Sequence, residues 1–222
     1  MIFFIFCMAC QSPSTSAPSK PSAGLPNPQK NGLPDEPPEE EYDIPNIGCS
    51  YTIQNVRPEW TAYKFTDKTP VEGTFTRTLL SSKKTAETLS GALKGLSIEI
   101  DTTSVESNNS ARNKTISEHY FARFRSNAKI YGTILAADEN KGTLLIQLDM
   151  NNTKKSYTFT YTAQGSSITA STVMDMMDFG LQQPFESIHS ICKTLHTGSD
   201  GIAKTWSEVG LRAVIQFGKK CS

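Results

Sequence analysis

The chain has 222 residues, 37% hydrophobic and 20% charged, with 22 basic side chains against 22 acidic ones. This length fits one domain of about 170 residues plus an extension, and a net charge of zero offers no footprint for nucleic acid. The balance is uneven: residues 1–46 hold nine of the twelve prolines and six acidic residues against Lys20 and Lys30, leaving a mild excess of +4 on the remainder.

The chain opens on an apolar run, residues 2–9 (IFFIFCMA), which ends directly at Cys10. A bilayer span needs about 20 such residues, so the run reads as the end of a signal-peptide core. Ala9-Cys10 resembles the end of a bacterial lipobox, where a small residue precedes the cysteine that is acylated; an ordinary signal peptide is the alternative. Cys7 stands where that pattern usually has Leu. Gln11 follows the cysteine, and by resemblance to lipoproteins lacking Asp there, the outer membrane is the expected address. From Gln11 to about Asn46 the sequence is Pro, Ser, Gly, Asn and acid, too poor in apolar surface to offset its ordering entropy. Stretched as a Pro-rich chain it would reach about 100 Å. The acidic run between Asp35 and Asp43 reads as a solvated spacer. The expected organisation is a signal peptide at 1–9, an acylated Cys10 with a disordered tether at 10–46, and a folded domain at 47–222. The expected location is the bacterial cell envelope, as an outer-membrane lipoprotein facing the periplasm or the surface.

Strand signals begin with Tyr51 and Ile53 alternating with polar neighbours, and continue through Trp60 to Phe65 after Pro58. Val71, Gly73, Phe75, Arg77 and Leu79 share one face of the next strand. Residues 85–94 predict a short helix ending before Gly95. Leu96, Ile98 and Ile100 alternate with Ser97, Glu99 and Asp101, and a long polar crossover then runs to Tyr120-Phe121, long enough to suggest a function. Ile130 and Ile134 oppose Tyr131 and Leu135. Leu144, Ile146, Leu148 and Met150 form one face; Tyr157, Phe159 and Tyr161 form another, with turns at residues 140–142, 151–152 and 164–166. Residues 168–174 and 209–217 complete the set. Pro184 opens a predicted helix over 185–195, closed by Thr197-Gly198. Eight or nine short strands joined mostly by short turns predict an antiparallel sandwich or barrel.

The order of features at 96–121 resembles the YceI-like family, lipocalin-like barrels that bind polyisoprenoid lipids. Ser104-Val105-Glu106-Ser107, Arg112-Asn113, Ile116 and Tyr120-Phe121 fill its pattern, with Ser107 in place of Thr and Asn113 in place of Asp. Residues 142–154 (GTLLIQLDMNNTK) resemble its strand-turn-strand unit. Residues 174–181 (MDMMDFGL) resemble its Arg-x-Asp-Phe-Gly element, with Met176 or Met177 where Arg is usual. The resemblance spans about residues 50–217, and residues 184–206 depart from it as an inserted helix and turn. It implies an all-β fold: an antiparallel eight-stranded lipocalin-like barrel with one or two short helices, preceded by a disordered tether. Such a barrel can hold one small ligand. Periodicity alone allows a filled core as readily as a tunnel; the resemblance favours the tunnel. The side chains then expected to line it are Phe75, Ile98, Ile134, Leu148, Phe159, Tyr161, Ile168 and Met174, with Ile215 on the same inward register. Ser104, Arg112 and Asn113 are expected near the mouth; pinning the crossover loop to an acidic neighbour is the alternative role for Arg112.

No enzyme motif stands out. His189 and His196 are seven apart on the predicted helix, too far for an i, i+4 metal pair, and no metal ligand set is assigned. Asp175 and Asp178 fit cap or turn roles. With Cys7 removed and Cys10 acylated, Cys49, Cys192 and Cys221 remain, and an oxidising periplasm permits a disulfide. In an even-stranded up-and-down barrel the first strand begins, and the last ends, at one rim. That makes Cys49–Cys221 the preferred pair; Cys49–Cys192 is the rival, and three free thiols are the remaining alternative. The expectation is a non-enzymatic carrier or sequestering protein for a hydrophobic isoprenoid-type lipid, without a cofactor beyond that lipid. Its membrane contact would be through acylation, with no nucleic-acid partner. One rival is an interaction protein with a filled barrel that binds a partner through the 184–196 helix. Another is a hydrolase or peroxide-handling enzyme using His189 or Cys192.

Overall fold

The computed structural model describes residues 48–81, 85–125 and 128–222; the expected signal peptide at 1–9, the acylated Cys10 and the tether at 10–46 lie outside the described residues. The elements are β1 (Cys49–Lys64), β2 (Thr69–Phe75), β3 (Thr78–Leu80), β4 (Thr85–Ala86), α1 (Leu89–Leu93), β5 (Ser97–Asp101), β6 (Val105–Glu106), α2 (Ser110–His119), β7 (Lys129–Asp138), β8 (Thr143–Met150), β9 (Thr153–Gln164), β10 (Ser167–Asp175), α3 (Gln182–Ile191) and β11 (Glu208–Cys221). Period-2 alternation is plainest in β8 and β10, where buried residues recur at every second position.

Hydrogen-bonded neighbours run β3-β5-β7-β8-β9-β10-β11-β1-β2-β6, and every pairing is antiparallel. The two ends of that path are covalent continuations of strands already inside it. β3 follows β2 after residues 76 and 77, and β6 follows β5 after a 3-10 turn at Thr102–Ser104. The sheet therefore curls round to meet itself as eight composite strands, the predicted barrel. At the kink the register slips by two: Thr74 faces Glu106 but Thr78 faces Ile100. Ser104 clamps this slip. Its Oγ donates to the Asp101 carbonyl at 2.6 Å and accepts from the Arg77 N–H at 2.9 Å. The kink also reverses the face of β3, so Leu79, expected inward with Phe75, is 65% exposed and Leu80 packs against the core instead.

The barrel has a closed end and an open end. β1 begins and β11 finishes at the closed end, where Cys49 and Cys221 face each other in register and are disulfide-bonded, as expected. Ile53, Leu144, Ile168 and Ile215 fill the interior there, and Ala92 and Leu93 of α1 are buried beside them. The predicted helix at 85–94 is shorter than expected because Thr85 and Ala86 pair with β1 and Thr88 caps the helix. Gly95 follows it at φ +84°, a left-handed conformation that suits glycine.

α2 and α3 both lie in connections at the open end. α2 occupies what reads in sequence as a polar crossover. No residue of it is buried and it carries no apolar stripe, so the usual periodic signal is absent. Its start is set by Asn109, whose side chain accepts from the Arg112 N–H. α3 begins three residues before the predicted start and ends at Ile191, followed by a 3-10 turn at Thr194–His196. Pro184 sits in the first turn of α3, where no N–H is needed.

Candidate functional site

Above the filled end the barrel is hollow. A cavity of about 510 Å³ lies between the strand walls and the two helices at the open end, within the 300–1,000 Å³ range common for small-ligand sites. The sequence explains why the void sits at this level. Near the closed end Ile53, Leu144 and Ile168 point inward and are fully buried. Toward the open end Ala62, Gly132 and Ala213 face inward and leave volume unfilled. At Gly132 the nearest atom that a Cβ would meet is Ile98 Cγ1, at an ordinary 3.5 Å.

Seven of the ten expected site residues line this cavity: Phe75, Ile98, Arg112, Ile134, Leu148, Phe159 and Met174, together with Ile215. Three do not. Ser104 clamps the kink described above. Ile168 is fully buried in the closed end, beyond the floor of the cavity. Tyr161 lies inward but toward that same end, where its N–H bonds the Gly142 carbonyl. Asn113 is also away from the cavity; its Oδ1 accepts from the Ser107 N–H at 2.9 Å and from the Ser107 hydroxyl at 2.6 Å. Its Nδ2 donates to Glu106, and with the Asn108 N–H this holds the Glu106 carboxyl below its ordinary value. Arg112 borders the cavity and also pins the crossover loop, to Ser107 and not to the acidic neighbour expected. Its Nε donates to Ser107 Oγ at 2.8 Å and its Nη2 to the Ser107 carbonyl at 2.6 Å.

The Tyr120-Phe121 pair belongs to a cluster of edge-on rings. Phe121 meets Phe75, Tyr120 and Phe124 at centroid distances of 5.8, 5.0 and 5.4 Å. These contacts join the end of α2 to the barrel wall. Burial pushes the Tyr120 phenol far above its ordinary value, so this lining group stays a neutral hydroxyl.

Ile188 and Cys192 on and just after α3, and Leu195 beyond it, cover the cavity from the other side. Backbone bonds tie the covering segment to the barrel through Lys204, whose N–H donates to the His196 carbonyl and whose carbonyl accepts from the Phe65 N–H, and one hydroxyl adds to them. Thr205 Oγ1 contacts His196 Nδ1 at 2.7 Å and His189 Nδ1 at 3.0 Å, while Thr205 itself bridges to Lys64 at the end of β1. One hydroxyl carries one proton, so with both rings neutral one imidazole accepts and the other donates. Sequence spacing missed this pair, because the shared partner lies nine residues beyond the second histidine. Burial chiefly, then Lys64 and His189, lowers the pKa of His196 from 6.5. The folded chain therefore takes up this proton less readily than the unfolded chain. The stability so contributed is complete above pH 6.5 and is lost as the pH falls below it toward the folded value. Denaturation midpoints followed from about pH 7.5 to 5.5 are expected to decline, and His196→Gln is expected to flatten that decline. An unchanged slope in the variant would remove His196 as its source.

Cys192 is the free cysteine among the described residues, and burial raises its thiol pKa. A thiol held protonated is a poor nucleophile, which argues against the peroxide-handling reading. Among the described residues no group of three or more His, Cys, Asp or Glu side chains is placed to hold a metal ion. Lining residues that sequence reasoning missed include Trp60, Ile116 and Ile188. Trp60 shares the inward register of Pro58 and Ala62, so alternation along β1 could have found it.

Comparison with known proteins follows the same lines. No curated protein sequence matches the chain significantly. Among solved structures, a polyisoprenoid binding domain from Saccharophagus degradans, implicated in plant cell wall breakdown, superposes with TM-score 0.53 at 10% identity, covering 78% of this chain and 99% of that one. Burkholderia cenocepacia BcnA superposes with TM-score 0.50 at 12% identity, covering 73% of this chain and 96% of its own. At such identities the likeness is one of fold. The family described as YceI-like domain matches residues 51–216, nearly the whole of the barrel, and the chain belongs to that family.

Proposed function

We propose that the protein is a carrier or sequestering protein for a hydrophobic isoprenoid-type lipid, tethered to the outer membrane through an acylated Cys10 and facing the periplasm or the surface. The observation that carries this reading is the roughly 510 Å³ cavity with its largely apolar wall, roofed by α2 and the segment from α3 to Leu195. The fold it shares with a polyisoprenoid binding domain supports the same class of ligand. The role is one of binding, without catalysis. The apolar run ending at Cys10 supports the anchor.

One experiment tests both halves. The full chain, expressed in a bacterial host with an outer membrane, is fractionated, purified and extracted with organic solvent for mass spectrometry. The membrane fraction is expected to hold the protein and the extract an isoprenoid-type lipid. Cys10→Ser is expected to move the protein to the soluble fraction. Retention of the variant in the membrane would remove the anchor, and a lipid-free parent would remove the carrier.

A second reading has one observation in its favour. Ile191 and Leu195 stand 54% and 73% exposed on the covering segment, a surface on which a protein partner could dock. A lipid-free parent would put that reading first.

A further inference from the structure

The large apolar side chains left in water are not spread evenly over the barrel. Among the described residues five are more than half exposed: Leu79, Val173, Ile191, Leu195 and Ile202. The kink accounts for Leu79. Val173 stands near the top of β10, and the other three lie on α3 and the chain that follows it at the open end.

The same lip gathers rings and cations. The tip of the β1–β2 hairpin is bonded to the chain before β11, with Trp206 Nε1 donating to the Phe65 carbonyl at 2.7 Å. Lys68 and Lys204 flank the Trp206 ring, their ammonium groups 4.4 and 4.6 Å from its centre, and Lys64 lies 4.6 Å from the Phe65 ring. The acidic groups of these two segments are engaged: Asp67 accepts from Thr69, Asp200 from Thr66 and the Ile202 N–H, and Glu208 pairs with Lys68. Among the described residues Lys64, Lys193 and Lys204 form no ion pair. Phe65 holds a left-handed backbone at φ 59°, a conformation that costs a bulky residue more than a glycine. Strain of this kind is retained where the side chain has a use.

We propose that this lip is a docking surface for an anionic lipid membrane. Ile191, Leu195 and Ile202 enter the interface, Phe65 and Trp206 sit at headgroup level, and Lys193 and Lys204 meet the phosphates. The composition fits a membrane better than a protein. Protein interfaces are depleted in lysine, whereas lysine beside aromatic and aliphatic side chains is the make-up of an interfacial anchor. The placement agrees, because Leu195 and Trp206 also line the cavity. The docked face is thus the one that opens on the ligand space, and a hydrophobic ligand would pass between bilayer and barrel without crossing water. The surface goes beyond the carrier reading and does not depend on which lipid fills the cavity.

Vesicles of phosphatidylcholine, alone or mixed with phosphatidylglycerol, are sedimented with the full chain carrying Cys10→Ser, since an acyl chain would bind either kind. Binding is expected to the mixed vesicles and is expected to fall at high salt. Adding Lys193→Gln and Lys204→Gln together is expected to weaken it about thirtyfold. Lys219→Gln with Lys220→Gln removes the same charge at the closed end and is expected to bind as the parent does. None of these four lysines lines the cavity. Equal weakening by the two pairs would make net charge the cause and overturn the proposal, as would equal binding to the two kinds of vesicle. Acetylation of the lysines in the full chain without lysine substitutions gives a second readout if a variant does not fold. Mixed vesicles are expected to slow the reaction at Lys193 and Lys204 and to leave Lys219 and Lys220 unchanged; a uniform response overturns the proposal. A chain that binds no vesicle yet yields lipid on solvent extraction overturns this proposal and leaves the carrier. One that docks but yields no lipid removes the carrier and leaves the docking surface.

Discussion

Replacing Cys49 and Cys221 together by serine is expected to cost the barrel about 5 kcal/mol of stability. The bond joins residues 172 apart in sequence, so it removes the loop-closure entropy of almost the whole folded domain from the unfolded chain. In the native state the two strands stay paired without it. Twelve residue pairs from Cys49↔Cys221 to Thr61↔Gly210 hold β1 to β11, and the cavity lies farther up the same strands. Urea unfolding is therefore expected to shift strongly while the lipid recovered from the folded protein by solvent extraction is unchanged. A loss under about 1 kcal/mol would mean that the reduced, unfolded chain keeps the closed end associated.

Phe179→Ala and Phe159→Ala are expected to differ in kind. Phe179 is fully buried, stacks on Tyr157 at a centroid distance of 6.1 Å, and does not line the cavity. Its carbonyl accepts from Asn151 Nδ2 at 2.8 Å, which ties the turn after β10 to the turn after β8. Truncation leaves a void in packed surroundings and is expected to cost about 3–5 kcal/mol. Phe159 is also buried, yet one side of its ring faces space that is already empty. Its loss enlarges an existing cavity, and the expected cost is about 1–3 kcal/mol, below the packed-core range, together with loss of co-purified lipid. Thermal melts paired with solvent extraction on the parent and both variants check this. Equal destabilisation by the two truncations would mean that Phe159 is packed on every side and that the cavity floor lies higher.

Much of the barrel is legible because its cause is local. Tyr157, Phe159 and Tyr161 alternate with threonines, and a half-buried strand is the structure that uses such a pattern. The register slip at residues 76 and 77 is not local. It depends on Ser104, 27 residues beyond Arg77, and so Leu79 was placed on the wrong face. α2 is illegible for a different reason, since a helix that buries none of its residues leaves no stripe in the sequence. The candidate site divides in the same way. Inward strand positions could be read, but the level of the cavity depends on small residues such as Gly132 and Ala213 coming together from separate strands.

The disulfide also has a mechanical consequence. Gly48 enters the barrel beside Ser222, whose N–H bonds its carbonyl, at the floor and opposite the lip. Whatever holds the segment before Gly48 thus suspends the barrel by its floor. A tug along that line meets a covalent bond after a single residue and passes into β11, so β1 cannot be peeled from its neighbours one hydrogen bond at a time. Load applied to the leash leaves the lip, and the His196–Thr205–His189 latch beside it, mechanically unstrained.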